Sequence, residues 1–203
     1  MIKKGIILVL GLILAYNSVY FKKLSDVRNQ KSSNFDFNTY ADSLYYKGIL
    51  TQTKAVALGN LISAIQSNKE STFKTFGNRL GIGNSAYFMV EIKGNITSIE
   101  DGVIKVNTSE NGVVSVDSKY IFGNAIRDAS GLVKLTDFKT NADFNKVSEA
   151  LNTIIREKAL PATVQKLKVG DAISVTGALK LSKKENLELK ILPVKIAINI
   201  MQR

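Results

Sequence analysis

From Tyr87 onward the apolar residues recur at every second position, and hairpin signals separate the stretches that do so. Phe88, Val90 and Ile92 alternate with Met89, Glu91 and Lys93, and Gly94-Asn95 reads as a break before Ile96 and Ile99. Asp101-Gly102 and Asn111-Gly112 then turn the chain into Ile104 and Val106, and into Val114 and Val116. Asp-Gly and Asn-Gly between alternating apolar residues are strong hairpin signals, so this region is an antiparallel meander of three or four strands. A second alternating stretch follows Lys166-Leu-Lys-Val-Gly-Asp171. It runs through Ile173, Val175, Leu179 and Leu181, reverses at Lys183-Lys184-Glu185-Asn186, and returns through Leu187, Leu189 and Ile191. Its apolar residues then change from odd to even positions at Val194, Ile196, Ile198 and Ile200. A one-residue slip moves every later side chain to the other face, which calls for a bulge or bend near Leu192-Pro193. A strand bent in this way suits a small closed barrel or a corner between two sheets.

The remaining segments are helical. Between the two β-rich stretches, Phe144, Val147, Leu151, Ile154 and Ile155 make one apolar face up to about Lys158, with Asn141 or Asp143 as cap and Pro161 beyond the end. Ahead of the meander, Asp36 or Asn38 can cap a helix carrying Tyr40, Leu44 and Ile49. Thr51 or Thr53 can cap a second through Val56, Leu58, Leu61, Ile62 and Ile65, and Ser71 to Leu80 gives a short third. Gly81-Ile-Gly-Asn-Ser-Ala86 imitates a dinucleotide-binding fingerprint, but that loop works by following a strand and opening a helix. Here the order is reversed, so the stretch is a helix-to-strand turn.

At the N-terminus, Gly5 to Phe21 contains no charge and lies between Lys3-Lys4 and Lys22-Lys23. Its length is at the short end of what spans a ~30 Å hydrocarbon core. A cleaved signal would need a small-x-small site, which Ala15-Tyr16-Asn17 matches poorly. A core helix is the third alternative. The reading adopted is an uncleaved inner-membrane anchor with the domain in the periplasm or exterior, followed by a polar linker. The fold class is therefore α+β: an N-terminal membrane helix, a helical segment, the antiparallel meander, the long helix, and a second small β-unit that can close an OB-like barrel. The divisions are 1–24 for the anchor, 25–35 for the linker, and 36–203 for the exported domain, with sub-units of about 36–122 and 123–203.

Function is bounded mainly by what is absent. The chain contains no Cys, His or Trp. Zinc sites of the usual kind, Cys nucleophiles, Ser-His-Asp triads and His- or Cys-ligated haem are excluded with them. No cofactor is expected, and a non-enzyme is the expected class. With 28 Lys+Arg against 17 Asp+Glu, the surface favours anionic partners but says little about the fold.

The stretch Phe122-Gly-Asn-Ala-Ile-Arg-Asp-Ala129 places Arg127 beside Asp128 among small and apolar neighbours. Buried charges need partners, because an unpaired one costs several kcal/mol. Arg127, Asp128 and Asp137 are the candidate ligand-binding residues, since a guanidinium fork suits carboxylate or phosphate and carboxylates suit hydroxyl groups. The competing reading is structural: Arg127 bridges Asp128 and Asp137 and pins the junction between the β-region and the long helix.

Several of these motifs, taken together, resemble a family of predicted bacterial periplasmic lipoproteins of unknown function. They are Phe37-Asn-Thr-Tyr40-Ala-Asp42-Ser-Leu44, Phe76-Gly77, Gly123 to Ala129, Asp137-Phe138, Val147-Ser148-x-x-Leu151-Asn152, and Val169-Gly170-Asp171 leading to Val175-Thr176-Gly177. The resemblance implies a cell-envelope location and, because such proteins are often encoded beside sugar ABC-transport genes, transporter components as partners. Family members carry a lipidated Cys after the signal; Tyr16 stands at that position here, so an uncleaved helix would replace the lipid as tether. The functional expectation is a membrane-tethered accessory or binding protein. The alternative is a basic OB-like nucleic-acid-binding module, supported by ten Lys+Arg against four Asp+Glu from Arg156 onward. Such sites stack bases on aromatic rings, and residues 162–203 contain none, so nucleic acid is not the expected partner.

Overall fold

The computed structural model describes residues 35–79, 83–185 and 187–199. The expected membrane anchor, 1–24, and the expected linker, 25–35, except its last residue, lie outside the described residues, and no described helix is long and apolar enough to cross a membrane. Residues from Phe37 onward make one compact unit.

Six strands and a set of helices build this unit. In chain order they are α1 (Phe37–Ser43), β1 (Val56–Ala57), α2 (Leu58–Thr75), β2 (Ser85–Glu100), β3 (Val103–Thr108), β4 (Gly112–Asp117), α3 (Ala125–Ser130), α4 (Asn141–Ile154), α5 (Pro161–Val164), β5 (Ala172–Ser182) and β6 (Lys190–Ile198). Five of the strands close on themselves. β2 pairs antiparallel with β3, β3 with β4, and β5 with β6; β4 lies parallel to β6, and β2 meets β5 from Ser85↔Ser182 to Asn95↔Ala172. The short β1 runs parallel to β2 on the outside, Val56 opposite Val90. Closure removes the open sheet edges and leaves an apolar interior that includes Phe88, Ile104, Val106, Val114, Val116, Val175, Leu179 and Ile191, all buried.

Two sequence expectations change at this level, and a third holds. β2 does not break at Gly94-Asn95 but continues for 16 residues, paired with β5 before that point and with β3 after it. Glycine is needed because β3 crosses very close, and a Cβ at Gly94 would run into the carbonyl oxygen of Asn107. The meander therefore has three strands, with β2 and β3 joined by the two-residue Asp101-Gly102 loop, where both residues adopt positive φ (46° and 79°). The two expected sub-units of about 36–122 and 123–203 share one sheet, because one barrel draws strands from both sides of residue 122. The predicted slip near Leu192-Pro193 is present: Thr176 faces Lys195 while Gly177 faces Pro193, leaving Val194 as the extra residue.

The helices cover the barrel. α1 passes through a π-helical turn over Leu44–Ile49, where Leu44, Tyr45 and Ile49 are buried, and it packs on α4. The Tyr45 hydroxyl donates to the Val194 carbonyl at 2.7 Å, and burial pushes its pKa up to about 12. α2 begins at Leu58 without a side-chain cap, so neither Thr51 nor Thr53 starts it; Val56 and Ala57 go into β1 instead. It kinks at Asn68, whose side-chain oxygen accepts from the Ser71 backbone N–H and so starts the second half, which stands where a third helix is expected from Ser71 to Leu80 but ends at Thr75. α4 is capped by Thr140 rather than Asn141 or Asp143, Thr140 Oγ1 accepting from the Asp143 N–H at 3.1 Å. Its Phe144, Val147, Leu151 and Ile154 are buried at helical spacing, as expected.

Candidate functional site

The Arg127-Asp128 pair lies on α3, between the barrel and α4. Both residues are almost fully buried, with side-chain exposures of 3% and 2%. Arg127 Nε and Nη2 each reach Asp128 Oδ1 at 2.8 Å, Nη1 donates to the Phe144 carbonyl at 3.0 Å, and the guanidinium lies over the Phe144 ring, 3.4 Å from its centre. The other carboxylate oxygen of Asp128 accepts from Asn124 Nδ2, and Asn124 Oδ1 in turn takes a long bond, 3.4 Å, from the Tyr87 hydroxyl on β2. A polar chain thus runs from the barrel through α3 to the backbone of α4. Each charged member has its partners, as a buried network must if it is not to destabilise the fold.

Asp137 does not join this network. It is exposed at the end of the 3₁₀ turn Leu135–Asp137, where its Oδ2 accepts from the Lys134 N–H at 2.9 Å. The expected bridge from Arg127 to two carboxylates is therefore a pair with one, because the turn directs Asp137 into local backbone capping. Its charge is felt at Tyr40, whose pKa is raised first by burial and then by Asp137. Tyr40 packs edge-on against Phe138, and Phe138 against Phe144, so aromatic rings connect α1 to the Arg127 stack.

Arg127 forms part of the wall of a cleft of about 560 Å³ between α4 and the loop that precedes α3. That loop is fastened by two side chains, one on α4 and one on the π-helical turn Ile155–Ala159 that continues it. Asn152 Nδ2 donates to the Gly123 carbonyl at 2.8 Å, and Arg156 Nη1 donates to the Ile121 carbonyl at 3.0 Å. Between these anchors Phe122 projects with 60% of its surface exposed, and the Arg156 guanidinium sits 4.8 Å from its ring centre. α4 contributes Asn145, Ser148, Glu149, Asn152 and Thr153, and the π-helical turn after it contributes Arg156.

Ser148 is unusual among them. It is 5% exposed, and its hydroxyl has no hydrogen-bond partner among the described residues. A helical serine ordinarily donates to the carbonyl four residues back, which here is Phe144. That carbonyl already accepts the helical N–H and the Arg127 Nη1, so both its lone pairs are used. Leaving a buried hydroxyl unsatisfied costs roughly 1–3 kcal/mol.

Of the three predicted site residues, then, the structure brings Arg127 and Asp128 together and leaves Asp137 apart. Sequence reasoning assigns no site role to Phe122, Asn145, Ser148, Asn152 or Arg156. The available signal is the polar Ser148 and Asn152 inside the buried face of α4, one position after Val147 and Leu151. No described group of acidic residues is arranged to hold a metal ion.

A family model described as predicted periplasmic lipoprotein (DUF2291) matches residues 9–197. The chain belongs to that family. This assignment carries an envelope-associated location for the predicted periplasmic lipoprotein, and the family's function is unknown. Among solved structures, an OB-fold protein from Thermotoga maritima matches 82% of this chain and 100% of its own length, with 24% identity and a TM-score of 0.72. At that identity the likeness concerns the fold, and it agrees with the five-stranded closure. The comparison with curated proteins found no match.

Proposed function

We propose that this family member is a non-enzymatic, membrane-tethered accessory protein of the cell envelope, which presents its OB-type unit outside the inner membrane and serves solute uptake through ABC-transporter components. The observation that carries the reading is the architecture of the α4 cleft. Its loop wall is fixed by the Asn152 and Arg156 bonds to the backbone, while its most deeply buried charge, Arg127, is satisfied by Asp128. A preformed polar recess whose most deeply buried charge is already paired suits a binding site. The apolar N-terminal run with its flanking lysines supplies the tether, with Tyr16 in place of a lipidated Cys.

The test is affinity purification of the full-length protein extracted from membranes, with mass spectrometry of what accompanies it. Stoichiometric recovery of a permease or a solute-binding protein supports the reading. Recovery of the protein from the soluble cytoplasmic fraction overturns the tether, and a preparation free of transport components overturns the accessory role.

A basic OB-like nucleic-acid-binding module is the second reading. Its specific support is Tyr120, 47% exposed just after β4, with the Lys119 ammonium 5.1 Å from its ring centre. Affinity for single-stranded DNA that falls steeply with salt would favour it over the first.

A further inference from the structure

The cleft has a charge pattern that decides what it can hold. Arg127 commits Nε and Nη2 to Asp128 and Nη1 to the Phe144 carbonyl. Arg156 is directed to the Ile121 carbonyl, to Thr153 Oγ1 at 3.4 Å and to Glu157 at 3.1 Å. An anion entering the cleft would find both guanidinium groups engaged and the carboxylate of Glu149 beside it. A cation would meet the Arg156 guanidinium, the more exposed of the two, at the cleft wall. An uncharged ligand meets neither penalty.

What remains is neutral hydrogen-bonding chemistry next to an apolar surface. Asn145 is exposed and lines the cleft, where its amide offers both donors and an acceptor. One turn further along the same face, Ser148 carries the hydroxyl whose local acceptor Arg127 has taken. Across the cleft, the exposed Phe122 ring gives a flat apolar wall, which suits a carbon skeleton whose hydroxyl groups point toward α4. The volume, about 560 Å³, lies within the range of small-molecule sites.

We propose that the α4 cleft binds an uncharged, hydroxyl-rich small molecule, with Asn145 and Ser148 as its hydrogen-bonding residues and Phe122 as the surface it packs on. The inference rests on the reading of the chain as a binding protein, and it goes further by naming the site and the ligand chemistry. Arg127 acts in it as a positioning residue: by occupying the Phe144 carbonyl it keeps the Ser148 hydroxyl available.

The experiment is a titration of full-length protein, in a detergent without a sugar headgroup, followed by amide chemical shifts. The probes are neutral polyols (D-glucose, D-xylose, myo-inositol), with D-gluconate and inorganic phosphate as anionic counterparts, up to about 10 mM, where even a millimolar site is mostly filled. The expected result is saturable shifts at Gly123, Asn145 and Ser148 with at least one polyol, and about tenfold weaker binding of D-gluconate, corresponding to about 1.4 kcal/mol. Asn145→Ala and Ser148→Ala each weaken the polyol about tenfold. Ser148→Ala also leaves the melting temperature equal to or above that of the unmodified chain, which separates a ligand contact from a structural role.

No shifts with any of the polyols, anion binding equal to or tighter than polyol binding, or unchanged affinity in Ser148→Ala would each overturn the proposal. The outcome is independent of the transport assignment. A silent cleft in a protein that co-purifies with a permease sinks this inference alone, whereas a responsive cleft in a protein without transport partners sinks only the accessory role.

Discussion

Among the described residues, Asp128 is the one carboxylate bonded to Arg127, and replacing it with alanine leaves a guanidinium, 3% exposed, without its counter-charge. Asp137 does not take over, since it is committed to the Lys134 backbone. Breaking a buried pair from one side costs about 3–5 kcal/mol, because the remaining charge keeps its desolvation penalty and loses its attraction. For a chain of this length, about 2–4 °C of melting temperature accompanies each kcal/mol, so Asp128→Ala should melt roughly 6–20 °C lower. Urea unfolding of the full-length protein, monitored by circular dichroism, gives the free energy directly. The double variant Arg127→Met/Asp128→Leu fills the same space without charge and is expected within about 1–2 kcal/mol of the unmodified chain, or above it. It also returns the Phe144 carbonyl to Ser148. An Asp128→Ala variant within about 1 kcal/mol of the unmodified protein would refute the argument that the pair holds α3 between barrel and α4.

Other perturbations test separate parts of the fold. Gly94→Ala forces a methyl group against the Asn107 carbonyl and should cost about 1–3 kcal/mol in the same urea assay. Thr140→Ala removes the cap of α4 and should cost about 1 kcal/mol, with the loss restored by Thr140→Ser. At Asp117, burial acts to raise the pKa, but the Tyr120 N–H, the Lys190 ammonium at 2.9 Å and the Lys119 N–H outweigh it, and the pKa lies below its ordinary 3.8. A carboxylate with a depressed folded-state pKa stabilises above its unfolded value and loses that contribution as pH falls through the folded one. Stability measured from pH 7 downward should therefore drop below about pH 3.8 with a smaller slope in Asp117→Asn than in the unmodified chain.

Local patterns reveal the elements more reliably than their neighbours. Alternation marks the strands, the Asp101-Gly102 dipeptide marks the hairpin, and the shift from Ile191 to Val194 marks the bulge. Each of these signals arises from residues close together in sequence. The pairing of β2 with β5 leaves no such trace, because both strands would show the same alternation in two separate sheets. Gly94 misleads for the same reason: glycine inside a strand pattern fits a break as well as a close crossing, and only the position of Asn107 decides between them. The cap of α4 is hard to place because three residues of similar capping ability, Thr140, Asn141 and Asp143, stand together at its start. The Arg127-Asp128 pair is legible since two charges among Ala125, Ile126 and Ala129 have few ways to be satisfied. Ser148 is not, because its lost acceptor depends on Arg127 reaching across from another helix.

The length of β2 sets an order of events during synthesis. Its first eleven residues, Ser85–Asn95, find their main partner only in β5, which follows three helices later. At about 5–20 residues per second, a chain emerging N-terminus first carries that apolar strand without its neighbour for roughly 4–17 s. During that interval β2 and β3 can form their hairpin, but Phe88, Val90 and Ile92 have no barrel to enter. A nascent chain arrested before Ala172 should therefore be cut readily by proteases within β2, and one arrested after Ile198 should resist, which makes the C-terminal hairpin the step that commits the chain to its fold.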